Sequence, residues 1–148
     1  MAKRVCKERG WCLGQLVGYK VGLDKANASK DTRLLYVTTG VLIKMLIPQK
    51  NMSQFTHVII DEVHERDKDM DFLLILTRKF ITSNSQGVKI ILMSATLNAD
   101  KLLQYYSWPI YTNGPLEQQG CKFDIPGTTN HDVALFYLDE VSFKNSFL

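Results

Sequence analysis

The residues with chemistry to offer stand at the end of a short apolar run. Val58, Ile59 and Ile60 lead directly into Asp61-Glu62, and His64 follows after one intervening residue. A β-branched run of this length suits a buried strand of a parallel sheet, whose C-terminal end opens into a ligand crevice. Two carboxylates at such a point are costly unless something neutralises them. Mg²⁺ would do so, with Asp61 holding it directly or through water. Glu62 is then placed to orient and deprotonate a water that attacks a phosphate. This is the chemistry of nucleoside triphosphate hydrolysis, in the spacing D-E-x-H. A plainer reading is that Asp61 and Glu62 cap the next helix and that His64-Glu65-Arg66 is a solvated charge run. A bare D-E-x-H does not choose between the two, and its surroundings must.

The elements that would position these groups can be read on both sides. Residues 1–9 have helical character, with Gly10 as the stop. Residues 16–22 alternate apolar and polar side chains around Gly18 and Gly22, which predicts a short strand with close backbone approaches. After a polar loop over 24–31, residues 33–38 are predicted to form a second buried strand. Thr39-Gly40 opens a helix over 41–47 that Pro48 closes. Beyond the acidic strand end, Leu73, Leu76 and Phe80 recur at helical spacing within 70–81. Asp69 and Asp71 stand at that helix's start, and Arg78 and Lys79 near its end, as the macrodipole prefers. Residues 88–93 form the third strong strand, which runs into Ser94-Ala95-Thr96. Asn98 reads as the N-cap of a short helix ending at Tyr106. Strand–helix alternation over 33–106 predicts an α/β fold with a parallel sheet. Past Ser107, Pro109, Gly114, Pro115, Gly120, Pro126 and Gly127 break the pattern, with strand candidates at 121–123 and 133–138.

Composition sets outer bounds. At 148 residues the chain can bury the core of one domain and hardly of two. Hydrophobic content of 45% and charged content of 22% are those of an ordinary globular protein. A formal charge of +3 permits a nucleic-acid partner without arguing for one. Cys6, Cys12 and Cys121 have no C-x-x-C spacing, so neither a zinc site nor a disulfide framework is indicated, and a reducing, cytoplasmic setting is expected. No segment has the length of a membrane span.

Three predicted strand ends carry small polar or acidic groups: Thr38-Thr39-Gly40, Asp61-Glu62-x-His64 and Ser94-Ala95-Thr96. In a parallel sheet such ends lie along one edge, so all three would face one crevice. Taken together and in this order they resemble the first RecA-like domain of the DEAH/DExH-box RNA helicases, closely over 1–106 and loosely over 107–148. D-E-V-H-E-R from Asp61 resembles the family's motif II, and Ser94-Ala95-Thr96 its motif III. Val37-Thr38-Thr39-Gly40-Val41-Leu42 resembles the segment that touches RNA phosphates, and Val17-Gly18-Tyr19 the V-G-Y segment before it. The resemblance implies ATP and Mg²⁺ as cofactors and RNA as partner. It implies Asp61 for Mg²⁺, Glu62 as general base, and His64 as the link to a second RecA domain. Ser94, Ala95 and Thr96 would couple hydrolysis to strand separation. Gly18, Tyr19, Thr38, Thr39 and Gly40 would contact RNA, and free N–H groups at a helix start suit phosphate.

Finer details resemble the spindle-E-type subgroup, germline helicases of the piRNA pathway that act in cytoplasmic granules. They are Val21-Gly22-Leu23 after V-G-Y, D-E-V-H-E-R-D-x-x-M-D-F-L-L from Asp61, and Phe136-Tyr137-Leu138-Asp139. Gly22 stands where most DEAH members carry an arginine. No glycine in the chain is followed by lysine, so the G-K-[ST] phosphate loop is missing, as is the arginine-finger segment. The expectation is a partial RecA-like P-loop NTPase domain over 1–106, without its phosphate-loop strand. Residues 107–148 would end that domain and lead toward a second one. By itself the piece is expected to be inactive, and a non-catalytic RNA- or protein-binding module derived from a helicase is the competing reading.

Overall fold

The longest helix organises the packing. In this computed structural model, which describes residues 1–22, 27–85, 87–95, 99–111, 115–118, 120–127, 134 and 137, with backbone alone for 108–111 and 115–118, α3 spans Lys68–Ser83. Asp67 starts it, its carboxylate accepting the Met70 N–H at 2.7 Å, and Asp69 and Asp71 load its first turn with negative charge. Met70, Leu73, Leu74, Thr77, Phe80 and Ile81 are buried. That stripe of i, i+3, i+4 and i+7 positions is the face a helix turns to a core. Because α3 continues to Ser83, Arg78 and Lys79 stand before its last turn, which holds no basic residue, and Leu76 is only partly buried. Arg78 instead reaches across to α4, Ala99–Tyr106, donating to the Tyr105 carbonyl at 2.5 Å with its guanidinium over the Tyr105 ring.

Around α3 are packed α2 (Thr39–Gln49), β3 (His57–Ile60) and β4 (Lys89–Leu92). Leu42, Ile43 and Leu46 of α2, with Val58 and Ile60 of β3, share one core with α3, while Ile90 and Leu92 of β4 pack against it. Fully burying a side chain such as Leu46 or Leu73 stabilises by about 1.5–3 kcal/mol. Thr77 is wholly buried, yet its hydroxyl is satisfied by the Leu73 and Leu74 carbonyls and by the Tyr106 hydroxyl at 2.9 Å. A second layer joins α1 (Ala2–Arg9), β1 (Val17–Lys20) and β2 (Leu34–Val37), with Ala2, Cys6 and Val17 buried and Tyr19 and Tyr36 packed alongside. Gly10 closes α1 at φ 66, the left-handed conformation that glycine adopts without a steric penalty.

The α/β class and the parallel pairing agree with the sequence reading, but the strands pair two by two. β1 pairs in parallel with β2, in register Val17 with Leu34, and β3 with β4, in register His57 with Lys89. Burial alternates along β3 and β4, so one face of that pair is covered and the other open. Ile59 and its partner Ile91 are exposed, and β2 has no fully buried residue. Pro48 does not close α2, which runs through it to Gln49 and ends at Lys50 in the left-handed region. A proline two residues from a helix end removes one N–H bond where the turn is already finishing. Residues 121–123 are not a strand. Two short antiparallel strands stand upstream instead, β5 (Trp108–Tyr111) and β6 (Pro115–Gln118). Asn98, and all of 133–138 but residues 134 and 137, lie outside the described residues.

Candidate active site

At the end of β3 the chain turns sharply. Asp61 is exposed, and its Oδ1 accepts the Glu62 N–H at 2.9 Å. Glu62 has φ 55, a left-handed conformation that costs a non-glycine residue roughly 1–3 kcal/mol. Val63 then returns to the core, 1% exposed. Its N–H donates to the Met93 carbonyl at 3.1 Å, while the Met93 N–H donates to the Ile60 carbonyl at 2.9 Å. The β3–β4 ladder is thereby carried past both strands, fixing Asp61 and Glu62 beside Ser94 and Ala95. Those two expected site residues are exposed next to the acidic turn. Thr96 lies outside the described residues.

His64 folds back toward Glu62, with Nδ1 3.2 Å from Oε2. The approach is off the hydrogen-bonding direction, and Nδ1 is buried without a directed partner. The contact is therefore one of proximity, in which a small rotation of either side chain makes or breaks a bond. Arg66, again left-handed at φ 51, ends the turn. Its guanidinium grips the Asp71 carboxylate bidentately, Nε to Oδ1 at 2.6 Å and Nη2 to Oδ2 at 3.2 Å. The hydrogen bond with Asp71 pushes Arg66 above its ordinary pKa, and the same bond from Arg66 holds the Asp71 carboxyl below the usual carboxylate range. The plain helix-cap reading of Asp61 and Glu62 fails here, since Asp67 caps α3.

Thr38 is the N-cap of α2, but its side chain makes no capping bond, which leaves early α2 N–H groups open to an anion. Gly40 lets this end approach the start of α3: a Cβ on it would lie 3.4 Å from Asp69 Oδ2. Packing of α2 on α3 sets this helix start beside the start of α3, while β2 and β3 are not paired. Gly18 and Tyr19 are placed otherwise. Gly18 is buried where a Cβ would meet the Asn27 carbonyl oxygen at 2.5 Å, and Tyr19 exchanges both backbone bonds with Asn27 while its ring packs beside α1. The site residues that the sequence reading passed over are Val63, Met93, Arg66 and Asp71. An apolar residue lodged inside D-E-x-H-E-R was the available signal for the first.

Among the described residues no group of three or more His, Cys, Asp or Glu side chains could hold a metal ion. Asp61 suits Mg²⁺ in another way, since its Oδ2 is exposed beyond the bond made by Oδ1, and Mg²⁺ with a nucleotide takes one carboxylate plus waters and phosphate oxygens.

Against this geometry the comparisons with known proteins agree. Residues 2–104 match the model of the DEAD/DEAH box helicases. The chain is 45% identical to "ATP-dependent RNA helicase TDRD9" of Rattus norvegicus over 141 residues, 95% of this chain and 10% of that protein. It is 48% identical to "Probable ATP-dependent RNA helicase spindle-E" of Anopheles gambiae, again over 95% of this chain and 9% of that protein. The crystal structure of Escherichia coli DEAH/RHA helicase HrpB superposes with a TM-score of 0.63 at 34% identity, over 70% of this chain and 13% of that one. The chain spans about a tenth of the length of the curated relatives it matches. It belongs to the DEAD/DEAH box helicase family.

Proposed function

We propose that this chain supplies the hydrolytic strand end and an RNA-phosphate contact of an ATP-dependent RNA helicase. The observation that carries the reading is the Val63–Met93 bond, which sets the acidic turn and Ser94 side by side at two adjacent strand ends. Asp61 would hold Mg²⁺, which when bound neutralises phosphate charge. Glu62 orients and deprotonates the attacking water, and His64, close to the Glu62 carboxylate, links the site to a second RecA domain. Ser94 and Ala95 move with the acidic turn because the Val63–Met93 backbone bond ties the two strand ends, and with Thr96 they would couple hydrolysis to strand separation. The open N–H groups after Thr38 take an RNA phosphate, a contact blind to base identity, and Gly18 and Tyr19 shape the layer that carries it. On the subgroup resemblance, the partners would be RNA, ATP and piRNA-pathway proteins, in the cytoplasm.

The experiment is Glu62→Gln in a form of the protein that carries a G-K-[ST] phosphate loop. Turnover of ATP should fall about 10²- to 10⁴-fold while ATP binding survives. Comparable turnover in the variant would reduce Glu62 to a turn residue.

A further inference from the structure

The C-terminal ends of α2 and α3 come together around a groove of about 420 Å³. Ile47 and Lys50 line it from α2 and its cap, and Leu76, Lys79 and Phe80 from α3, with Asn84 at the cap of α3. Its two walls are fastened to each other. The Asn84 side-chain N–H donates to the Lys50 carbonyl at 2.8 Å, and the buried Ser85 hydroxyl accepts the Met52 N–H at 2.8 Å. A groove held in this way is formed before any ligand arrives. Phe72, Leu76, Lys79 and Ser83 recur at i, i+4, i+7 and i+11, so the exposed Phe72 shares the groove's face of α3.

Lysines near helix ends are ordinary, since they complement the carbonyl end of the dipole, and a single exposed apolar residue is ordinary too. Their arrangement here is not. Ile47, 49% exposed, and the partly buried Leu76 line the same groove as Lys50 and Lys79. Neither lysine enters an ion pair among the described residues, and no acidic residue lines the groove with them. An apolar floor with two uncompensated cations is complementary to an apolar side chain flanked by carboxylates. RNA would use the lysines alone, because Phe80 in the groove wall is 6% exposed and gives a base no face to stack on. The groove also stands away from the strand ends. Thr38 caps the other end of α2 and the acidic turn leads into the other end of α3, so an occupant here leaves both open.

We propose that this groove is a docking site for a short acidic segment of a partner protein, with an apolar side chain seated on Ile47 and Leu76 and carboxylates on Lys50 and Lys79. The proposal stands apart from the RNA and ATP reading and needs neither ligand. The test is selection of a phage-displayed library of short random peptides on the immobilised chain. Each enriched peptide is then labelled with fluorescein and titrated by fluorescence anisotropy, with circular dichroism and melting of every variant to show that the fold is unchanged. The enriched peptides should carry an apolar residue beside Asp or Glu. Lys50→Gln with Lys79→Gln should weaken their binding about tenfold at low salt and less at high salt. Ile47→Gln should weaken it about tenfold at both. Lys3→Gln, which removes a charge from α1 instead, should leave it unchanged. Enrichment of nothing, or of peptides indifferent to the groove variants, would overturn the proposal. A dimer in sedimentation velocity that Ile47→Gln dissolves would overturn it too, assigning the groove to a second copy of this chain. Oligo(U) that displaces the peptides, and loses affinity in the lysine variant but not in Ile47→Gln, would overturn it in favour of RNA.

Discussion

The Val63 amide donates to the Met93 carbonyl one step beyond the Ile60–Leu92 pair that ends the β3–β4 ladder. Together with the bond from the Met93 N–H to the Ile60 carbonyl it couples the acidic turn to Ser94, and the Val63 side chain beside it is buried. Val63→Ala should therefore destabilise the chain by about 2 kcal/mol, from the apolar burial removed plus the cavity left behind. A urea titration measures it, and hydrogen exchange at the Val63 amide should accelerate more than at the core of α3. An unshifted midpoint would mean that the turn is anchored by something other than this side chain.

The Arg66–Asp71 clamp predicts an acid response. Asp71 has a folded pKa below its unfolded value, so the folded chain binds fewer protons there. The contribution is present above the unfolded pKa and fades as pH falls through the folded one. Below about pH 4 the unaltered chain should lose stability faster than Asp71→Asn, in which that carboxylate is missing at every pH. Both groups are exposed, so the difference will be small and salt-sensitive. Arg66→Lys should not restore it, because lysine lacks the planar fork that reaches both carboxylate oxygens. Parallel acid profiles for the unaltered chain and Asp71→Asn would refute the clamp.

How far the sequence carried can be judged at particular residues. The apolar spacing on α3 marked Leu73 and Phe80 as core, and both are buried. It marked the helix two residues short at each end, because Asp67 announces the cap by its side chain while the last turn has no stop residue. The D-E-x-H turn was legible because its chemistry is local. Arg66–Asp71 was not, since a charged pair five residues apart across a left-handed turn looks like ordinary surface. The antiparallel pair of β5 and β6 was hidden by Pro109 and Pro115, which read as punctuation although an edge pair tolerates them. The convergence of three strand ends was expected from a single sheet. The strands pair two by two instead: backbone bonds join the ends of β3 and β4, while Thr38 starts a helix that packs on α3, a long-range arrangement that no local pattern holds.

Tyr106 gives the alkaline counterpart. Burial pushes its hydroxyl from 10.0 up to about 12, and its bond with Thr77 only partly offsets this. A raised folded pKa means stability that is complete below the unfolded value and lost as pH rises through the folded one. The chain should thus lose on the order of 2 kcal/mol between pH 10 and about 12. Tyr106→Phe should be less stable at neutral pH by about 1 kcal/mol, from the bonds to Thr77 and the Leu74 carbonyl. Its alkaline slope should be flatter over the same window, as melting scans would show. Equal slopes would place the titrating group elsewhere.

The final prediction is that the 148-residue chain hydrolyses no ATP, even with Mg²⁺ and RNA supplied. Asp61 and Glu62 offer a metal contact and a base, but a triphosphate is gripped chiefly by loop N–H groups and a lysine. No glycine of this chain is followed by a lysine, so no G-K-[ST] segment exists to supply them. Holding the γ-phosphate against the water is worth up to roughly 7–11 kcal/mol, many orders of magnitude in rate, and no arrangement of the acidic turn recovers it. Phosphate release from the purified chain should therefore match the no-protein blank at every RNA concentration. RNA binding needs none of the missing groups and should persist. Release above the blank that Glu62→Gln abolishes would overturn the prediction, since it would require a phosphate grip built from residues other than a G-K-[ST] loop.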